Sequence, residues 1–386
     1  MELRGNWNYP TPIRFGAGRI SELAGLCAEL NIKRPLLVTD RGLAEMPMTV
    51  KILKQLQDAG LSAALFCDMR PNPIGRDVDA GVAAYHAGGH DGVISLGGGS
   101  ALDVGKAIAL MSGQDRPLWD FEDVGDNYLR VNVAGVAPSI AIPTTAGTGS
   151  EVGRASLIID DVAHRKVIIF HPAMLPQRVL ADPELTTGLP AHLTAATGVD
   201  ALVHNIEAFC SPFYHPLAQG VALEGMKLVH DFLPRAYHNG QDIEARAQML
   251  SASLMGATAF QKGLGGVHAL AHPIGAVFDT HHGLANAILL PYVLVRNREA
   301  IVERLSSAAR YIGLADSSFD GFLSWVLDLR QSLNIPHTLA EINIPLDQAD
   351  AIGAMAKNDP SDGGNPVQLT AADYADIYRA AVAGAL

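Results

Sequence analysis

Cysteine is scarce in this chain. The 386 residues include 3 cysteines, Cys27, Cys67 and Cys210, which lie far apart and form no CxxC pair. An odd and sparse set of this kind argues against a disulfide framework and is typical of a reducing compartment. We therefore expect each cysteine to serve as a small buried hydrophobic residue.

Positive charge is also in short supply. The chain has 28 basic against 40 acidic residues, which gives a net charge of −12, and no run of Lys or Arg reverses this locally. Nucleic acids and anionic membranes attract basic surfaces, so both are poor candidates as partners.

Targeting and membrane-spanning signals are absent as well. The first residues, MELRGNWNYPTPIRFG, have no basic segment followed by an apolar one, so we expect no signal peptide. No stretch reaches 18 clean apolar residues, so we predict no transmembrane helix and a cytoplasmic protein.

The composition is that of a folded globular protein. The chain is 48% hydrophobic and 18% charged, which is ample for buried cores, and its length alone suggests two or three domains. In the first half, short β-rich runs alternate with amphipathic stretches such as 20–30 and 76–87, a pattern that favours a mostly parallel sheet covered by helices. The predicted strands are 36–39, 64–67, 92–96, 139–143, 167–170 and 178–181.

After Pro190 the sequence becomes rich in Ala and Leu and reads as helices. The predicted helices are 191–209, 216–234, 241–262, 265–277, 283–296, 297–312, 318–333, 347–357 and 370–385, with Asp316 or Ser317 and Thr370 as candidate caps. We therefore predict an α/β dinucleotide-binding domain with a parallel sheet over 1–187 and an all-helical metal-binding and catalytic domain over 188–386.

Metal-ligand residues cluster in the second half. Asp200 and His204, spaced i,i+4 in GVDALVHNIEAF, would lie on one face of a helix, and His268 and His272 repeat that spacing. His282 follows in what we interpret as a Gly-flanked turn before the apolar run 284–290. Asp200, His204, His268 and His282 offer one carboxylate and three imidazoles, a set that suits Fe(II) or Zn(II). A lone helical His is more often a surface or core residue, and the chain has 14, but two such pairs and a third cluster favour metal binding.

Two glycine-rich loops follow predicted strands. SLGGGSALDVGK places Gly97, Gly98, Gly99 and Ser100 where a helix begins, a candidate pyrophosphate cradle or simply a tight turn. PTTAGTGSE gathers Thr144, Thr145, Thr148 and Ser150, whose hydroxyls could contact phosphate, ribose or nicotinamide, or line a polar surface loop. Ligands of parallel sheets bind at the carboxyl ends of strands, which favours a cofactor site here.

Further residues complete the predicted cofactor set. Asp40, at the end of the strand 36–39, could accept from a ribose 2′-hydroxyl or could be a plain helix cap. Asn72, in PNP after the next strand, could shape an adenine pocket, and Asp103 and Lys166 are also assigned to the cofactor site.

These stretches, taken in order, resemble the iron-containing (group III) alcohol dehydrogenase family. The resemblance runs from PTPIRFGAG to GNPVQLT and includes GGGSALDVGK, PTTAGTGSE, LADPELTTGLP, TGVDALVHNIEAF and GVHALAHPIGAVFDTHHGLANAILLP. It implies a small-molecule alcohol or aldehyde substrate, NAD, Fe²⁺ with Zn²⁺ as the alternative, a cleft between the two domains as active site, and a homo-oligomer that is a dimer or larger. It also implies Asp200, His204, His268 and His282 as ligands and places His272 near the nicotinamide and substrate.

The sequence departs from the family pattern at two places. His281-His282-Gly283 stands where the family has Pro-His-Gly, so His281 could compete as ligand or act as a proton relay, although His282 is the positional match. NPV at 365–367 stands where many members have Asn-Pro-Arg, a departure that could alter a surface contact and to which we assign no function.

The expected reaction is hydride transfer between NAD(H) and a small alcohol or aldehyde, with His272 as the catalytic residue that passes the hydroxyl proton to solvent. Phe260 and Phe278 are expected to line the substrate pocket, and primary alcohols, diols and hydroxy acids all remain open. Alternatives are a glycerol dehydrogenase, a dehydroquinate synthase, a metal-dependent hydrolase or a non-catalytic binding module. Alcohol-dependent NADH formation without phosphate release distinguishes the expected reaction from that of a dehydroquinate synthase. A hydrolase would not need NAD, and a binding module would bind NAD without turning over any alcohol.

Overall fold

A computed structural model describes residues 11–163 and 165–386. The prediction that no signal peptide is present falls mainly on residues 1–10, outside the described part. The described chain divides into two compact units, one of residues 11–145 and 149–188 and the other of residues 146–148 and 189–386.

The first unit is built on a parallel sheet. Its strands are β1 (Ile13–Phe15), β2 (Pro35–Val38), β3 (Ala64–Phe66), β4 (Gly92–Gly97), β5 (Ser139–Pro143), β6 (Ala155–Asp160), β7 (Arg165–Phe170) and β8 (Arg178–Ala181). Six of them form the sheet in the order β1-β8-β5-β4-β2-β3, with every neighbouring pair parallel. Because β2, β4 and β5 are adjacent, the loops after these three strands meet at one edge of the sheet.

Helices cover both faces of this sheet. They are α1 (Leu23–Glu29), α2 (Arg41–Ala44), α3 (Pro47–Asp58), α4 (Gly75–Ala87) and α5 (Gly99–Met111). Successive side chains of β2 belong to two different buried clusters, one on each face of the sheet. Leu36 and Val38 pack with α4 and α5, whereas Leu37 packs with α1 and α3. Both faces are therefore apolar, as the continuous hydrophobic runs of the strands predict.

Two parts of the first unit differ from the predicted strands. The edge strand β1 was not predicted, because three residues carry too little periodic signal. The predicted strand 167–170 is not part of the parallel sheet, since β7 pairs antiparallel with the unpredicted β6 as a separate two-stranded ribbon.

The second unit is helical. Its helices are α6 (Ala191–Cys210), α7 (Pro216–His238), α8 (Ile243–Ala259), α9 (Gly266–Phe278), α10 (His282–Ile312), α11 (Phe319–Ser332), α12 (Ala349–Lys357) and α13 (Ala371–Ala383). The fold class predicted from the sequence, a parallel α/β domain followed by a helical domain, is confirmed.

Three local predictions in this unit were wrong. The predicted helices 283–296 and 297–312 form one continuous helix, α10, and His282 is its first residue and does not lie in a turn. The cap of α11 is Ser318, whose side chain accepts from Gly321 N–H, and neither Asp316 nor Ser317 has this role. Thr370 does cap α13, in a capping box with Asp373. Among the described residues, no helix combines the length and apolarity needed to cross a membrane.

Candidate metal and nucleotide sites

One face of α6 carries three acidic or imidazole side chains. Asp200, His204 and Glu207 follow one another at spacings of four and three residues, so they project from the same side of the helix. This face is not exposed to solvent, because α6 is buried along nearly its whole length. The sequence therefore places polar groups inside an apolar core, where each needs a partner.

Histidines of α9 and α10 converge on this face. Ligand atoms of Asp200, His204 and His268 all lie within 4.8 Å of one another. Asp200 Oδ1 is 3.9 Å from His268 Nε2 and 3.8 Å from His282 Nε2. The four residues predicted as metal ligands are thus brought together within one unit.

In His204 and His268, the ring nitrogen Nδ1 makes a hydrogen bond that orients the imidazole ring. His204 Nδ1 lies 3.2 Å from Gly147 O, and His268 Nδ1 lies 2.6 Å from Glu207 Oε2. Carbonyl and carboxylate oxygens only accept, so in each case Nδ1–H donates, and whenever the ring is neutral its lone pair is on Nε2.

Burial and neighbouring charge set the protonation of these groups. Asp200 is 1% exposed, His204 4% and His268 1%. Burial lowers the pKa of His204 to about 4, so this imidazole is neutral near pH 7. Burial also lowers the pKa of His268, but the charge and hydrogen bond of Glu207, together with the charges of Asp200 and Asp359, outweigh it, and the net pKa is raised.

Asn286, one turn after His282 on α10, completes the cluster. Its amide nitrogen is 2.6 Å from Asp200 Oδ1, 3.2 Å from His268 Nε2 and 3.1 Å from His282 Nε2. A single small group thus reaches the carboxylate and two imidazoles at once, which demonstrates how closely the ligand atoms converge. Three imidazole nitrogens and one buried carboxylate oxygen fit a divalent transition ion.

His272 lies in the same cluster and has its own carboxylate partner. Its ring stacks on that of His282 at 5.4 Å between centroids, and its Nδ1 is 2.9 Å from Asp359 Oδ2. Burial raises the pKa of Asp359, but the charge and hydrogen bonds of His272 and Ser361 outweigh it and hold that pKa below its ordinary value. The carboxylate therefore stays ionised beside His272.

His281, the departure from the family pattern, is exposed and caps α10. Its Nδ1 accepts from Leu284 N–H at 3.3 Å. His282, by contrast, carries the nitrogen that lies near Asp200. Phe260, expected in the substrate pocket, places its ring 5.2 Å from the ring of His204.

The candidate nucleotide residues lie in the first unit, at the carboxyl edge of the sheet. Asp40 follows β2, Gly97 ends β4 and Thr144 follows β5. Gly97 has φ of 148°, and a Cβ there would lie 2.8 Å from Ala101 Cβ, so only glycine fits. The N-cap of α5 is Gly98, without a side-chain cap, and Ser100 lies inside the first turn and does not cap the helix. The first-turn N–H groups of α5 are therefore a suitable anion site.

Asp40 has one structural role. Its Oδ1 caps α2 by accepting from Leu43 N–H at 3.0 Å. Its Oδ2 lies 3.7 Å from the position that a Cβ on Gly97 would occupy, so this oxygen is next to the glycine loop. Capping by one oxygen is compatible with ribose binding by the other.

Other predicted cofactor residues have contacts within the unit. Ser100 Oγ donates to Pro71 O, which brings the loop with Asn72 to the start of α5. Asp103 accepts from Ser150 Oγ and Leu157 N–H and lies 3.3 Å from Lys106 Nζ, so it braces the second glycine-rich loop. Thr145 lies beside Gly98, whereas Thr148 belongs to the segment 146–148 of the helical unit and Lys166 lies on β7.

Sequence reasoning missed several residues that hold the cluster together. Glu207 had a signal, since it extends the Asp200–His204 stripe by one more turn. Asn286 had the i,i+4 spacing from His282 as its signal, whereas Asp359 and Gly147 gave none. Asn365 was missed as well: it is buried, accepts from Gly266 N–H at 3.0 Å and pairs with Asn297. The departure interpreted as a change of a surface contact is Val367, which is partly buried against the core of the helical unit.

Comparison with known proteins agrees with this architecture. The sequence matches the iron-containing alcohol dehydrogenase family over residues 10–183 and the C-terminal family of Fe-containing alcohol dehydrogenases over residues 194–382. It is 38% identical over 375 residues to a 4-hydroxybutyrate dehydrogenase of Cupriavidus necator, covering 95% of this chain and 97% of that protein.

Solved structures agree as well. A crystal structure of 1,3-propanediol oxidoreductase superimposes with a TM-score of 0.92 at 32% identity, over 98% of this chain and 100% of the other. Sulfoacetaldehyde reductase from Bifidobacterium kashiwanohense, in complex with NAD+, gives a TM-score of 0.87 at 28% identity, over 98% and 99% of the two chains. The resemblance inferred from the sequence motifs is confirmed, and the chain belongs to the iron-containing alcohol dehydrogenase family of oxidoreductases.

Proposed function

We propose that this oxidoreductase interconverts small alcohols and aldehydes with NAD(H) and that it uses one divalent metal ion per chain. The observation that supports this most directly is the convergence of Asp200, His204, His268 and His282 in one cluster, of which the first three are buried and His282 is partly exposed. Oxidation of an alcohol needs a group that stabilises negative charge on oxygen, and a cluster of this donor set is suited to hold such a group.

The four side chains would bind the ion through Asp200 carboxylate oxygen and the histidine nitrogens. Hydrogen bonds from Nδ1 fix the rings of His204 and His268 so that Nε2 faces the cluster. When bound, the ion would supply Lewis acidity toward the substrate oxygen. Asn286 donates to Asp200 Oδ1 and so holds the carboxylate in place.

The cofactor would bind at the carboxyl edge of the sheet in the first unit. The first-turn N–H groups of α5 would receive the pyrophosphate, and the glycines allow close approach of the backbone. Asp40 would accept from the ribose hydroxyls through Oδ2, which lies next to Gly97. Bound NAD would supply the hydride acceptor for alcohol oxidation.

His272 is the proposed catalytic residue. Its Nδ1–H donates to Asp359, which leaves Nε2 as the atom that takes up the hydroxyl proton. The ionised carboxylate stabilises the imidazolium that forms and fixes the orientation of the ring. A carboxylate supports a histidine base in the same way in hydrolases. The proton then passes to solvent.

Iron as the metal is an inference from family membership. The three-imidazole, one-carboxylate set accepts either Fe(II) or Zn(II), and the usual order of affinity of divalent ions favours zinc. We propose Fe(II) because the family is the iron-containing one. Metal replacement under anaerobic conditions distinguishes the two.

The substrate is proposed only as a class. The similar proteins named above act on 4-hydroxybutyrate, 1,3-propanediol and sulfoacetaldehyde, which are short chains with a reacting oxygen at one end and a polar group at the other. A panel should therefore contain simple primary alcohols, diols and ω-hydroxy acids of two to four carbons.

The experiment is alcohol-dependent NADH formation by metal-free protein reloaded anaerobically with Fe(II), with Zn(II) or with no metal. We expect activity on at least one member of the panel, most with Fe(II), none without metal, and loss of the iron activity in air. Greater activity with Zn(II) would contradict the iron assignment but would leave the proposed reaction unaffected. No NADH from any alcohol, with NAD binding intact, would support a non-catalytic binding module and overturn the proposed function.

A further inference from the structure

The first turn of α9 is held by a side chain from another helix. The N-cap of α9 is Gly265, which has no side-chain cap, although four N–H groups at a helix start need partners. Glu207 of α6 supplies one, because its Oε1 accepts from Val267 N–H at 2.7 Å. The approach is close, since a Cβ on Gly265 would lie 3.1 Å from this oxygen.

The second oxygen of the same carboxylate serves His268. Glu207 Oε2 lies 2.6 Å from His268 Nδ1, and both side chains are buried, with Glu207 6% exposed. One carboxylate therefore fixes the helix start through Oε1 and the imidazole of the next residue through Oε2. If either oxygen changed partner, a buried N–H group would lose its hydrogen-bond acceptor.

We propose that Glu207 is a positioning residue that sets the tautomer of His268, so that Nε2 is the atom offered to the metal. The inference rests on the proposed function, in which His268 is a ligand. It follows from geometry alone, because a carboxylate accepts only, and Nδ1 must then carry the proton. Helix α6 thus supplies Asp200 and His204 as ligands and, one turn later, the group that orients a ligand on α9.

The substitution Glu207→Gln separates this role from simple packing. The amide has the same shape but offers one acceptor and one donor in place of two acceptors. If its oxygen stays on Val267 N–H, its NH₂ faces His268 Nδ1 and accordingly requires the proton on Nε2. Nε2 is then no longer available to a metal ion. We expect the backbone bond to be kept, because Val267 N–H has a fixed position in the helix.

The experiment has two readouts, both independent of turnover. The first is the ¹⁵N chemical shifts of the His268 ring in metal-free protein, at a pH high enough that the shifts no longer change, with the signal assigned by its loss in His268→Gln. The second is the dissociation constant for Zn(II), used as a probe metal, by competition with a chelator. Wild type should show protonated Nδ1, and E207Q should show protonated Nε2 and a dissociation constant raised about 10- to 100-fold.

Glu151→Gln is the matched control, since it makes the same change in a buried carboxylate of the first unit. It should leave the metal dissociation constant at the wild-type value. Far-ultraviolet circular dichroism and the melting temperature of metal-free E207Q verify that the variant is folded. If E207Q does not fold, the wild-type tautomer alone decides, and protonated Nε2 in wild type overturns the proposal.

The outcomes separate this proposal from the proposed function. A metal affinity of E207Q within threefold of wild type, or a weakened affinity with an unchanged tautomer, overturns the role of Glu207 and leaves the metal enzyme intact. If wild type binds no metal, the ligand set of the proposed function is wrong, and so is the role of Glu207. The metal titration of wild type detects this failure before any variant is compared.

Discussion

Cofactor choice provides a sharp test of the nucleotide site. Asp40 follows β2, with Oδ1 on Leu43 N–H and Oδ2 beside Gly97. A 2′-phosphate would bring close to two negative charges to this carboxylate. Two unit charges 4 Å apart repel by about 4 kcal/mol at an effective dielectric constant of about 20, and salt and relaxation reduce this further. If ~2 kcal/mol remains, NAD is preferred over NADP about 30-fold.

Two substitutions separate the charge of Asp40 from its capping role. Asp40→Asn removes the charge but keeps an oxygen that can cap α2, because Asn caps helices as well as Asp does. Asp40→Gly removes both. We expect both variants to raise kcat/KM with NADP by roughly tenfold or more and to weaken the use of NAD only modestly.

The assay is steady-state kinetics with NAD and NADP at one fixed, saturating alcohol concentration and one ionic strength. The melting temperature of each variant reports the cap, and Asp40→Asn should keep the wild-type value. If wild type uses NADP as well as NAD, or if both variants leave the ratio unchanged, Asp40 is only a helix cap and the electrostatic reasoning is wrong.

Three further predictions concern the metal cluster and the first unit. His282→Ala should lose bound metal in elemental analysis and His281→Ala should keep it, because only His282 faces the cluster; equal loss in both would contradict this. Asp359→Asn should lower kcat about 100-fold at unchanged metal content, because its amide oxygen would stay on Ser361 N–H and its NH₂ would then face His272 Nδ1 in place of the acceptor that fixes the tautomer; a kcat within threefold of wild type would exclude this role. Burial raises the pKa of Glu151 from 4.5 to about 7, so its contribution to stability is complete below pH 4.5 and is lost as the pH rises through 7. The difference in unfolding free energy between wild type and Glu151→Gln in urea should therefore change by on the order of 3 kcal/mol from pH 5 to pH 8, and a constant difference would contradict it.

Local spacing predicted the parts of the cluster that lie on one helix. Asp200 and His204 are four residues apart, and helical periodicity alone places them together. The parallel strands of the first unit were equally visible as short apolar runs separated by amphipathic helices. The resemblance to the family and the fold class were confirmed, whereas the individual ligand and cofactor residues stay predictions.

The contacts that orient the histidines could not be predicted in this way. Asp359 is 87 residues from His272 in the sequence, and Glu207 is 61 from His268. Pairs of this kind are brought together by the packing of helices, which no local pattern encodes. The turn predicted at His282 failed for a related reason, because the glycine after it suggested a break although His281 caps the helix that begins there.

The central claim is that a divalent ion binds to Asp200, His204, His268 and His282. The most direct measurement is the metal content of anaerobically prepared wild type and His268→Ala by elemental analysis, with NAD binding measured by calorimetry on the same samples. The account predicts one ion per chain in wild type, nearly none in His268→Ala, and NAD binding largely intact in both, because the nucleotide residues at the sheet edge lie in the first unit. Full metal content in His268→Ala would contradict it.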